Sequence, residues 1–260
     1  MEILGNEENG VYKISGEDAD ILSVYLDGSN QVTAEAGKML FYIGNVKSAT
    51  KEIKEGGSIS KHIFSAARKV ITDENLAFTT FSGQGEVSFG DYLPGSIAAI
   101  KLSGNAIIAS KENLIAYVGD INLSVEAQSG LGSLLFGGEG LVLIRISGSG
   151  YVFIHGGGNI ITHQLKDGQQ LHAESASVMA WDESVSHTLE HVKDFKTAYF
   201  GDEGLFLTRF SGTGTVLVQT LTVAKLRSLI GNSICLAPPP IMAAELVLLK
   251  AKKIITKLMR

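Results

Sequence analysis

DENLAFTTFSGQGEVSF at 73–89, GEGLVLIRISGSGYVFI at 138–154 and DEGLFLTRFSGTGTVLV at 202–218 are three versions of one stretch. Their Ser-Gly-x-Gly cores begin at Ser82, Ser147 and Ser211, spaced 65 and then 64 residues apart. Each version opens on a polar turn, runs through an alternating apolar strand, and reaches glycines that turn or bulge the chain into another strand. Asn75, Gly140 and Gly204 hold the third position of the opening turn, where the sequence predicts positive φ.

A second kind of segment also recurs. It reads ILSVYLDGSNQVTAEAGKMLFY at 21–42, IAAIKLSGNAIIASKENLIAY at 97–117 and IITHQLKDGQQLHAESASVMAW at 160–181. Each has a strand, a glycine turn (Gly28, Gly104, Gly168), a second short strand, a polar break and a third short strand. Each ends on an aromatic residue, Tyr42, Tyr117 or Trp181. Period-2 alternation punctuated by Gly, Asn and Asp is the signature of β-meanders. The expectation is an all-β chain with one body over 1–237, built from repeats at about 15–90, 91–156 and 157–235. Three tandem units bury together what one cannot, and closure about a pseudo-threefold axis would remove exposed strand edges.

Variable inserts separate the two kinds of segment. Ile59, Ile63, Ala66, Ala67 and Val70 predict a short amphipathic helix over 58–71, and Leu189, Val192 and Phe195 predict another over 187–198. The glycine-rich 130–138 reads as a loop. Pro238–Pro240 form a stiff break, and 241–260 reads as an amphipathic helix bearing Lys250, Lys253 and Lys257. Such a helix packs on its own domain, meets a partner or lies on an anionic membrane.

Composition narrows the function. Of the 260 residues, 45% are apolar, which excludes a disordered chain. The 30 glycines against 4 prolines suit many tight turns. A net charge of −5 with no basic face in 1–240 argues against nucleic acid. The single Cys235 excludes an intrachain disulfide framework and reads as a small packed hydrophobe. No run reaches 18 apolar residues, and Met1–Gly10 is too polar for a secretory signal, so the expected location is cytoplasmic.

The block [D/G]-E-[G/N]-L-x-x-x-[R/T]-[F/I]-S-G-x-G, three times over, resembles the family named for the yeast altered-inheritance-of-mitochondria protein, across about 15–235. The resemblance implies three β subdomains about a pseudo-threefold axis, of a double-stranded β-helix or sandwich kind similar to the trp RNA-binding attenuation protein. It also implies an assembly or scaffold role, since the fungal relative is linked to mitochondrial inner-membrane organisation. It implies no catalytic residues, and a shared fold does not carry RNA binding with it.

Several residues are candidates for chemistry. On a helix, His187 and His191 would share a face and could hold zinc, with His155, His163 and His172 near in sequence. The zincin order His-Glu-x-x-His is absent. Glu74, Glu139 and Glu203 recur at one repeat position and could meet a cation or a basic partner; because the whole turn recurs, a solvated turn carboxylate also explains them. Arg145 and Arg209 recur where the first copy has Thr80, suited to an anion, a partner carboxylate or a local ion pair. A strand follows each Ser-Gly-x-Gly, whereas a phosphate loop needs a helix there. No cofactor is expected. The leading expectation is a non-enzymatic interaction or scaffold protein that self-associates or binds a protein, with peripheral membrane contact through 241–260. The alternatives are a small-ligand or lipid-binding module and a metal-dependent enzyme.

Overall fold

The computed structural model describes residues 1–4, 10–52, 77–125, 142–191, 206–223 and 225–226. Two compact units divide the chain, Met1–Thr222 and Val223–Arg260. The first is all-β. Among the described residues its strands are β1 Glu2–Leu4, β2 Tyr12–Ser15, β3 Ile21–Glu35, β4 Met39–Glu52, β5 Ala77–Phe89, β6 Gly95–Ser110 and β7 Leu114–Val125. They continue with β8 Leu143–Leu165, β9 Gln170–Glu174, β10 Val178–Asp182, β11 Ser186–His191, β12 Phe206–Ser211 and β13 Gly214–Leu221. Lys111–Asn113 and Ser175–Ser177 are single 3-10 turns.

The strands form one large antiparallel sheet and one small one. The large sheet runs β1-β6-β10-β13-β8-β7-β3-β5-β4, with β2 on β3 and a further β6–β8 pairing. The small sheet runs β11-β12-β9. Because β6 also pairs with β8, the path β6-β10-β13-β8 returns on itself, so these strands wrap around a buried centre. Ile100, Ile107, Ile146 and Ile154 fill it, all fully buried.

One register occurs three times. Tyr42 faces Val87, Tyr117 faces Val152 and Trp181 faces Val216, each valine five residues beyond the serine of its Ser-Gly-x-Gly. On the other side, Ser82 faces Gln31, Ser147 faces Ala106 and Ser211 faces Gln170.

The glycine motif does something other than the turn its sequence suggests. In β5 and β8 the strand runs through Ser-Gly-x-Gly without a break. A Cβ on Gly85 would stand 2.0 Å from the Ile43 carbonyl oxygen, and one on Gly150 would stand 2.1 Å from that of Val118. Both glycines have φ near +150°, at +152° and +151°. The residue type is required because two backbones close to a distance no side chain permits. Only the third motif breaks the strand, at Gly212–Thr213 between β12 and β13. There Glu183 stands two residues after Trp181, where Gly44 follows Tyr42 and Gly119 follows Tyr117. The partner strand is broken at the same level, between β10 and β11.

Two expectations change. The third short strands are long ones: β4 and β7 continue past Tyr42 and Tyr117 to Glu52 and Val125. The helix expected over 187–198 begins instead as strand β11, paired with β12 from Ser186↔Ser211 to His191↔Phe206. Over 187–191 pairing with β12 overrides the helical spacing, and 192–198 lies outside the described residues. The helix over 58–71, the loop over 130–138, the tail 241–260, Cys235 and the turn positions Asn75, Gly140 and Gly204 lie outside the described residues.

Candidate functional site

A buried polar cluster sits where β4 begins. Lys38 leads into that strand and is 2% exposed. Its Nζ lies 2.6 Å from Asp91 Oδ2, 4.0 Å from Glu35 Oε2 and 4.3 Å from the centre of the Tyr92 ring. His155 Nδ1 approaches the same Asp91 oxygen at 3.4 Å, and Lys111 Nζ lies 3.6 Å from Glu35 Oε1. Burial pulls the Lys38 ammonium toward neutrality, but the Asp91 hydrogen bond and charge outweigh it and raise its pKa. Burial pushes His155 below the usual histidine value, against the pull of Asp91. Burial also raises Glu35, although Lys38 and Lys111 oppose it. The cluster is therefore a charged lysine–aspartate pair beside a neutral imidazole.

A neutral relative of this cluster lies further along. Asn113 stands four residues before Tyr117, as Lys38 stands four before Tyr42. Asn113 Nδ2 donates to the His155 carbonyl at 2.8 Å and to Gln219 Oε1 at 3.3 Å, and the same Gln219 oxygen accepts from Gly157 N at 2.9 Å. Gln219 lies 64 residues after His155. These polar groups answer one another across strand ends, which is what a structural lock requires. A catalytic site needs room for a reacting atom near its working groups. The shallow cleft of about 360 Å³ at His163–Leu165 and Gln169–Leu171 is lined by none of them.

Of the expected site residues, His187, His191 and Arg209 lie on neighbouring strands of the small sheet and Arg145 lies on β8. His187 and His191 lie four apart on β11, a span of roughly 13 Å on a strand, too far for one metal ion. His187 packs on Trp181, ring centres 4.9 Å apart. His163 lines the shallow cleft, and His172 lies 3.6 Å from Glu190. Among the described residues no three His, Cys, Asp or Glu side chains gather as metal ligands. Arg145 makes a two-point pair with Glu183, at 2.6 and 3.1 Å, and Arg209 lies 3.0 Å from Glu190. Glu74, Glu139, Glu203, Lys250, Lys253 and Lys257 lie outside the described residues.

Among the described residues the longest run of exposed apolar side chains lies on a strand edge. Met39, Leu40, Phe41, Tyr42 and Ile43 are consecutive on β4 and between 40% and 62% exposed. The matching residues Ala116, Tyr117 and Val118 on β7, and Ala180 and Trp181 on β10, are buried. The difference is the neighbour. β7 is covered by β3, with Val32↔Val118, Thr33↔Tyr117 and Ala34↔Ala116. β10 is covered by β6, with Ile107↔Asp182, Ile108↔Trp181 and Ala109↔Ala180. Among the described residues β4 pairs only with β5, and β9 only with β12. No helix among the described residues is long and apolar enough to cross a membrane.

Fold and site together define an all-β protein of long, glycine-fitted strands, with polar locks inside and an apolar edge outside. The chain belongs to the mitochondrial biogenesis AIM24 family, whose model matches residues 12–221. It is 25% identical over 206 residues to an uncharacterized protein of Streptococcus pyogenes serotype M6, covering 78% of this chain and 82% of that one. It also resembles the crystal structure of protein SPYM3_0169 from Streptococcus pyogenes, with a TM-score of 0.66 at 20% identity. That match covers 86% of this chain and 99% of the other, and it shows the fold.

Proposed function

We propose that this chain is a non-enzymatic scaffold protein, built from three structural repeats, that works by assembling with other copies of itself. The observation that carries the reading is the exposed edge Met39–Ile43, whose counterparts in the other two repeats are buried. A long apolar edge strand left open is a liability that soluble proteins suppress with charge, proline or a cover. Lys38 is turned inward on Asp91, and the next charge along the strand is Lys47. Completing the burial of five half-exposed side chains is worth on the order of 5 kcal/mol. Association costs about 4–15 kcal/mol, so this edge needs a second surface or strand hydrogen bonds to hold a stable complex. The polar locks fit a scaffold as well, since they tie strands together through side-chain contacts. Peripheral membrane contact through 241–260 belongs to the same reading. Sedimentation velocity tests it: a concentration-dependent assembly is expected, and a monomer throughout the micromolar range would overturn it.

A further inference from the structure

We infer that the open edges of β4 and β9 are two halves of one interface, joined head to tail between copies of this chain. The inference rests on the self-assembling reading and adds the surface and the register. Thr33, Ile108 and His172 hold one position, each two residues past the residue that faces the Ser-Gly-x-Gly serine. Tyr42, Tyr117 and Trp181 hold another, each facing the valine five residues beyond that serine. The chain joins these two positions twice, as Thr33↔Tyr117 and Ile108↔Trp181. What remains is His172 on one edge and Tyr42 on the other. Among the described residues neither has a strand on its outer side, and the two are not paired with each other.

The same register sets Leu171 against Ile43 and Ala173 against Phe41. An apolar residue then faces an apolar residue on both sides of the His172–Tyr42 pair. Both sides are exposed: Tyr42 is 52% exposed and the His172 side chain 44%, whereas Tyr117 and Trp181 are 8% and 2% exposed. The receiving side is open beyond β9 as well. β2 lies on β3 and β1 on β6, but the Ile160–Leu165 end of β8 pairs only with β13 among the described residues, and Ile161 there is 43% exposed. The occupant is thus a second copy, adding its β4 as a strand. Each chain gives one edge and receives on the other, so the contact is heterologous and propagates into a ring or a filament.

Cysteine pairing tests the register. Residues opposite each other in an antiparallel pair lie about 4.5–5.5 Å apart at Cα, within disulfide range. In a full-length Cys235→Ala background, Tyr42→Cys and His172→Cys are made separately and together. Both sites are exposed, and unchanged thermal melts confirm that each variant folds. The two single variants, mixed and gently oxidised, are expected to give a disulfide dimer that neither gives alone, and the double variant a ladder or a covalent ring. A double variant that closes within one chain would overturn the inference, as would dimers of Tyr42→Cys alone. A protein that assembles in sedimentation but never links 42 to 172 overturns the register only. One that stays monomeric overturns the scaffold reading with it.

Discussion

Asp91 holds Lys38 by a 2.6 Å bond in which neither side chain is more than 5% exposed. The pair joins the start of β4 to the segment between β5 and β6, with His155 of β8 against the same carboxylate. Two charges taken from water repay their desolvation only while both are present. Lys38→Met should therefore cost about 3–5 kcal/mol, because it strands the Asp91 carboxylate, and the double variant Lys38→Met/Asp91→Leu should recover most of that loss. Arg145→Ala removes a pair that water already screens and should cost less than about 1 kcal/mol. Urea midpoints at constant slope measure all three.

The pH profile follows from His155. Its folded pKa lies below the unfolded value of about 6.5, so the unfolded chain takes up the proton first as pH falls. Its contribution is fully present above that value and is lost as pH drops toward the folded pKa. Glu35 acts oppositely: its folded pKa is raised, so its contribution fades as pH rises from the ordinary carboxylate range. The difference between wild type and His155→Gln isolates the histidine. Wild type should lose stability relative to the variant as pH falls below about 6.5. A pH-independent difference would contradict the burial assigned to His155.

Glycine substitutions should separate into two grades. Gly104→Ala meets nothing within 4 Å but carries a φ of +87°, a cost of roughly 1–2 kcal/mol. Gly150→Ala would set its Cβ 2.1 Å from a backbone oxygen that cannot move without breaking the β7–β8 ladder, and should cost about 4 kcal/mol or more. Equal melting temperatures for the two variants would show that the close approach is not what the motif is for.

Those two grades also mark how far the sequence could be read. The spacing of Ser82, Ser147 and Ser211 announces three stretches of strand, and each serine faces a residue of a neighbouring strand, although the third stretch is split into two strands. The sequence does not say that glycine serves a close approach in place of a turn, because both uses need the same freedom of φ. Strand β11 was hidden behind the helical spacing of Leu189, Val192 and Phe195. Comparing Trp181 with Tyr42 and Tyr117, whose strands run on for eight residues or more, would have exposed it. The polar cluster was hidden by distance along the chain. Lys38, Asp91 and His155 meet only through the sheet, although the exchange of Lys38 for Asn113 and Ser177 at one repeat position was a visible signal.

The edge makes a prediction of its own. Ile43 is 62% exposed, so Ile43→Lys should leave the stability of the isolated chain almost unchanged, within about 0.5 kcal/mol. A charge there opposes strand addition. The variant should lose at least tenfold in association constant by sedimentation. Full retention of assembly would place the contact elsewhere.

The most direct test of self-assembly is native mass spectrometry of the untagged, full-length chain. The expected result is a series of multiples of 27.6 kDa with no added mass, shifted to the single chain by Ile43→Lys. A wild-type spectrum holding only the 27.6 kDa chain would contradict the account, and an added small mass on that chain would point to a binding module instead.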